Sequence, residues 1–130
     1  LSYVIQELNY DNICLLDTDT VCVKPLDSLW DECRENILLY DMQHSLEIEQ
    51  ANVMNQEFHD LTHSYKYLIN YGGEFIAGSR DRLIVFLEKC RYYYDQMIKK
   101  KLTTKHGDEF ILCCAASDSD VRSSIKSANA

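Results

Sequence analysis

Apolar residues recur at Leu1, Val4, Ile5 and Leu8, the spacing of one helical face, and a polar break at Asn9 to Asn12 follows. The next four residues, Ile13-Cys14-Leu15-Leu16, form a continuous apolar run, which predicts a strand covered on both faces of an α/β sheet. Val21 to Val23 read as resumed extended structure that Pro25 ends, and Leu26, Leu29, Trp30 and Cys33 return to helical spacing. Ile37 to Tyr40 predicts a second buried strand. From Gln43 to Tyr65 the pattern is weak and polar, with His44, His59 and His63 scattered through it. This stretch reads as a long loop containing one helical turn.

Leu68 to Tyr71 lead into Gly72-Gly73, then Phe75-Ile76-Ala77 and Gly78-Ser79. Paired glycines beside an apolar segment predict either a turn or a place where backbone and ligand come close. Ser79 is placed as the N-cap of a long helix, with Asp81 in the first turn and a core stripe of Leu83, Leu87, Cys90, Tyr94 and Met97. Gly107 marks a break, Asp108 to Ala116 a further helix, and the Ser-rich residues from Ser117 onward a frayed polar tail. Strands alternating with helices over 130 residues, without repeats or a linker, predict one α/β domain across residues 1–130.

Charge narrows the possible partners. The formal net charge is −8, and the one basic run, Lys99-Lys100-Lys101, sits where it complements a helix C-terminus. Nucleic acid is therefore not an expected partner, since phosphate neutralisation needs clustered Lys and Arg. The six cysteines show neither C-x-x-C nor Cys/His zinc spacing, which predicts buried free thiols in a reducing, cytoplasmic compartment. No apolar stretch approaches a transmembrane span, and no signal-peptide pattern is present.

The chain contains two D-x-D triplets. Asp118-Ser119-Asp120 lies among serines, where carboxylates are simply solvated, whereas Asp17-Thr18-Asp19 follows an apolar strand, at the end where open sheets form ligand crevices. In extended chain, residues i and i+2 project to the same side, so Asp17 and Asp19 would offer two hard oxygen ligands to Mg²⁺ or Mn²⁺ shared with substrate phosphates. The plain alternative is a turn in which both carboxylates bond nearby amides.

The stretch from Tyr10 to Asp31, with Asp17-Thr18-Asp19, Lys24-Pro25-Leu26 and Leu29-Trp30, resembles the signature region of GT-A-fold glycosyltransferases, particularly family 8-like sequences. Downstream, "INYGGEFIAGSRD" resembles that family's Gly-Gly strand segment, and "HGDEFIL" resembles the acidic pair opening a later helix. The resemblance implies a Rossmann-like mixed sheet flanked by helices, with these residues as the C-terminal part of the domain and a nucleotide-binding βαβ half ahead of them. It implies metal-dependent transfer of a sugar from a nucleoside diphosphate donor, a UDP-sugar above all, to a glycan, protein or lipid acceptor. Asp17 and Asp19 would hold Mn²⁺ or Mg²⁺, and Asp17 and Thr18 would border the donor. Gly72 and Gly73 would admit the sugar to the backbone, and Asp108 and Glu109 would serve donor or acceptor hydroxyls. His106 is expected to be a surface or turn residue.

Two other classes stay open. "CLLDTDTV" also fits the first motif of haloacid-dehalogenase-like phosphatases, with Asp17 as nucleophile, Asp19 as acid/base and Ser79 as the second-motif hydroxyl. A glycosyltransferase-like domain that binds without catalysing is the third possibility.

Overall fold

The computed structural model describes residues 1–128, in the order α1 (Ser2–Glu7), β1 (Asn12–Leu16), α2 (Asp27–Cys33), β2 (Ile37–Asp41), α3 (Ile48–Thr62), β3 (Tyr71–Ser79), α4 (Arg80–Lys100), α5 (Gly107–Ser117) and β4 (Ile125–Ser127). The chain is a mixed α/β structure whose four strands form one sheet in the order β1-β3-β2-β4. β3 runs antiparallel to both β1 and β2, while β4 lies parallel to β2.

Alternation along the strands divides the core in two. Ile13, Ile37, Leu39 and Ile76 belong to the larger cluster, where they meet Leu83, Phe86 and Met97 of α4 and Phe110 and Cys114 of α5. Leu38 and Ala77, one residue out of step, form the smaller cluster with Cys33, and Leu29, Trp30 and Cys14 pack on it. The Leu-Trp element therefore has a structural role, holding α2 against the second face of the sheet.

The continuous apolar run of β1 is not covered on both faces. β1 is an edge strand, paired on one side by β3, and Leu15 and Leu16 remain 38% and 36% exposed. Val21 and Val23 do not resume a strand; both lie exposed in irregular chain. The expected loop from Gln43 to Tyr65 is largely α3, fifteen residues long, with Met54, Phe58 and Leu61 as its buried face. Three apolar residues at steps of four and three are enough once α4 packs against them. Asn55 on α3 also accepts the Leu68 N–H at 2.9 Å and holds the approach to β3.

Ser79 occupies the N-cap position of α4, but its hydroxyl makes no capping hydrogen bond; the Arg80 N–H instead donates to the Asp11 carbonyl at 2.8 Å. The buried stripe of α4 runs Leu83, Phe86, Tyr93 and Met97. Tyr93 is 8% exposed and Tyr94, the expected core residue, is 56% exposed. Both phases satisfy helical spacing, and Phe86, with Phe110 the largest of the fully buried side chains, selects the observed one.

The tail is not frayed. Val121 is buried, a 3-10 turn covers Arg122–Ser124, and β4 extends the sheet beside β2. Asp118 anchors this return: Tyr93 Oη donates to its carboxylate at 2.9 Å, Lys89 Nζ lies at 3.4 Å, and the Asp120 N–H donates at 3.0 Å. Asp120 also pairs with Lys89, at 2.5 Å. Asp118 is thus a structural clamp rather than a solvated carboxylate, while Asp120 stays largely exposed beside Lys89. Among the described residues no helix is long and apolar enough to cross a membrane.

Candidate functional site

β1 ends at Leu16, and the chain turns at once. The Asp17 N–H donates to the Glu74 carbonyl at 3.0 Å, extending the β1–β3 ladder by one bond, and the Thr20 N–H closes a turn onto the Asp17 carbonyl at 3.0 Å. Thr18 and Asp19 are the two central residues of that turn. The extended geometry that would aim Asp17 and Asp19 at one point is absent, because the reversal begins between them. One Asp17 carboxylate oxygen accepts the Thr18 N–H at 2.7 Å, so the local-amide alternative describes this carboxylate. All three side chains are exposed.

The paired glycines lie inside β3, not in a turn. Opposite β2, the register jumps from Leu39↔Ile76 to Tyr40↔Gly72, so Gly73, Glu74 and Phe75 pass without β2 partners, while Phe75 still pairs with Leu16 of β1. Such a bulge re-aims the side chains it contains. Gly72 is buried, and a Cβ there would collide with Glu74 Oε2 and Met42 Sδ. The missing side chain is therefore what lets the Glu74 carboxylate fold back against its own strand. Gly73 is exposed, with open space where its Cβ would be.

α5 completes the arrangement. Gly107 takes a φ of +59°, a conformation that costs glycine little, and reverses the chain so that Asp108 and Glu109 open the helix. There the helix dipole favours their charge. Upstream, Glu57 of α3 accepts from Thr104 Oγ1 at 2.7 Å and from the Lys105 N–H at 3.0 Å, which fixes the loop before α5. His106 is the half-buried residue preceding the helix, as a turn residue should be.

Leu15, Leu16, Asp17, Gly73, Glu74, Asp108 and Glu109 together line an open cleft of about 320 Å³. Of the residues singled out from sequence, the fold brings Asp17, Gly73, Asp108 and Glu109 to one place; Thr18, Asp19 and Gly72 lie outside its lining. Glu74 is the addition. It was legible only as the residue after Gly-Gly, and the bulge is what turns it into the cleft.

The cleft is electrostatically loaded. Burial pushes the Glu109 carboxyl above the usual glutamate range, the neighbouring Glu74 charge adds to this, and the Gly73 N–H pulls the other way. Glu74 Oε2 is buried without a hydrogen-bond partner among the described residues. No family model matches the chain, and no curated protein is similar to it in sequence. Fold and site chemistry therefore carry the functional reading.

The donor set is all carboxylate, which suits a hard divalent cation. Among the described residues no three ligating side chains are gathered closely enough to hold a metal ion by themselves. Mg²⁺-type sites commonly take one or two carboxylates and draw the remaining ligands from substrate phosphates and water. The cleft carboxylates are of the chemical type that such a cation takes.

Proposed function

We propose that this chain carries the metal and sugar corner of a GT-A-like, nucleotide-sugar-dependent glycosyltransferase. The observation that supports it best is the shared cleft: Asp17 from the end of β1, Gly73 and Glu74 from β3, and Asp108 and Glu109 from α5 converge although 92 positions separate the first from the last. Asp17 at the cleft wall would hold Mn²⁺ or Mg²⁺ together with the donor diphosphate, while Asp19, turned away beyond the cleft, is not part of that site. A cation bound there supplies Lewis-acid stabilisation of the charge that develops on the leaving group.

The chain's own groups then have separate roles. Gly73, with no side chain and open space above it, admits a sugar to the β3 backbone. Asp108, exposed at the helix start, accepts hydrogen bonds from sugar hydroxyls. Glu109, whose carboxyl holds its proton to higher pH than an ordinary glutamate, is suited to exchange a proton with an acceptor hydroxyl. Leu15 and Leu16 form the apolar wall beside them.

The phosphatase alternative gains no such support. Ser79 pairs with Asn12 at the start of β1, whereas Asp17 follows its end. Five residues of strand put the two about 17 Å apart, too far for a nucleophile and a phosphate-binding hydroxyl to share one phosphoryl group.

Thermal melting with Mn²⁺ and a panel of UDP-sugars tests the transferase proposal. A ligand at a hundred times its Kd adds about 2.7 kcal/mol of stability, roughly 10 °C for a chain of this length. The expected result is a rise that needs both metal and nucleotide sugar and disappears in Asp17→Ala. Absence of any such rise in the wild-type protein would overturn the proposal; an unchanged rise in Asp17→Ala would overturn the metal assignment.

A further inference from the structure

A second cavity, of about 440 Å³, shares no lining residue with the acidic cleft. Its walls are mainly apolar: Tyr67 and Ile69 before β3, Tyr71 at the start of β3, and Ile125 of β4. Its floor is the junction of β3 with α5, where Cys113 Sγ accepts the Tyr71 N–H at 3.2 Å. Two cations, Lys66 and Arg122, complete the lining.

Both cations are free to meet a ligand. Neither Lys66 nor Arg122 belongs to any ion pair among the described residues, although acidic side chains outnumber Lys and Arg by 21 to 13. Asp118, one helical turn before Arg122 and its nearest acidic neighbour in sequence after Asp120, is already engaged by Tyr93 and Lys89. Tyr67 and Ile69 are exposed apolar residues at the same cavity. An apolar hollow of ligand size with free positive charge at it matches a molecule that has an apolar body and an anionic group.

We propose that this cavity binds a small amphiphilic anion, with an aromatic or branched aliphatic body against Tyr67, Ile69, Tyr71 and Ile125 and a carboxylate, phosphate or sulfonate between Lys66 and Arg122. The proposal does not depend on the transferase reading, since the two cavities are lined by different residues. It is specific in sign: a net charge of −8 repels anions from the protein as a whole, so a preference for an anion over its neutral analogue must arise from local cations.

The probe pair is anilinonaphthalene sulfonate and its uncharged analogue N-phenylnaphthylamine, titrated by fluorescence against the full chain. The expected result is one saturable site that prefers the sulfonate. The double variant Lys66→Gln/Arg122→Gln, which alters two exposed side chains, should weaken sulfonate binding on the order of tenfold and leave the neutral dye unchanged. Ile69→Asp should weaken both dyes. Absence of a saturable site, sulfonate affinity unchanged in the double variant, equal weakening of both dyes by that variant, or indifference of both dyes to Ile69→Asp would each overturn the proposal.

Discussion

Asp118→Asn alters a carboxylate that the fold holds, and Asp17→Asn one that it leaves exposed. In the folded protein the Asp118 side chain is 13% exposed and receives three donors: Tyr93 Oη, Lys89 Nζ and the Asp120 N–H. Burial alone would raise the Asp118 carboxyl, but the Asp120 amide, the Tyr93 hydroxyl and Lys89 outweigh it and hold it below the ordinary value of 3.8. Hydrogen bonds to a charged group contribute about 1.5–3 kcal/mol each, and an amide in the same place keeps part of them, so a net loss of about 2 kcal/mol is expected at neutral pH. At roughly 2.1 cal/mol/K of unfolding entropy per residue, that corresponds to a fall in melting temperature of about 7 °C for this chain. The pH dependence has a definite sign. A carboxyl whose folded pKa is depressed stabilises above its unfolded value, here 3.8, and that stability is lost as pH falls through the folded value. The gap between wild type and Asp118→Asn should therefore be full at pH 6 and close as pH falls below 3.8 through the folded value. Asp17→Asn, at an exposed turn with one local hydrogen bond, should stay within about 2 °C of wild type at every pH. Scanning calorimetry of the three proteins decides it: equal melting temperatures for Asp118→Asn and wild type at neutral pH would refute the clamp, and a loss in Asp17→Asn as large as in Asp118→Asn would refute the contrast.

Two further outcomes are expected. Because burial and the Glu74 charge raise the Glu109 carboxyl, its ionisation opposes folding, and the stability it contributes in the protonated form is lost as pH rises through the folded value. Glu109→Gln should melt a degree or two above wild type at pH 7 and converge with it below the ordinary value of 4.5, as denaturation at the two pH values will show. Thiol labelling should be selective: Cys22 is exposed and reacts at once, whereas Cys33 is buried with its thiol pushed up to about 11, Cys113 is buried and pushed up to about 12, and both wait for unfolding. Rapid modification of Cys113 in the native protein would contradict the packing of α5 on β3.

Elements with their own periodic apolar signal were legible in the sequence. The opening helix, the helix at Leu29-Trp30, both apolar strands, α4 and α5 all stand where the pattern puts them, because each carries enough apolar spacing to declare a buried face locally. α3 and β4 carried no such signal. Met54, Phe58 and Leu61 become a helix face only when other elements lie beneath them, and Val121 and Ile125 are ordered by partners far away, Ile125 being registered against Ile37.

The same division runs through the site. Sequence by itself determined that carboxylates would stand at the end of β1 and at the start of α5, since a strand end, a glycine break and an acidic helix start are local features. Tertiary structure decided which carboxylates share a cleft. It turned Asp19 away through the Asp17–Thr20 reversal, brought Glu74 in through a bulge that leaves three β3 residues without β2 partners, and assigned the second D-x-D to Lys89 and Tyr93. The physical reason is that a carboxylate's role depends on its neighbours within a few ångströms, and those neighbours come from strand register and helix docking, which no local pattern encodes.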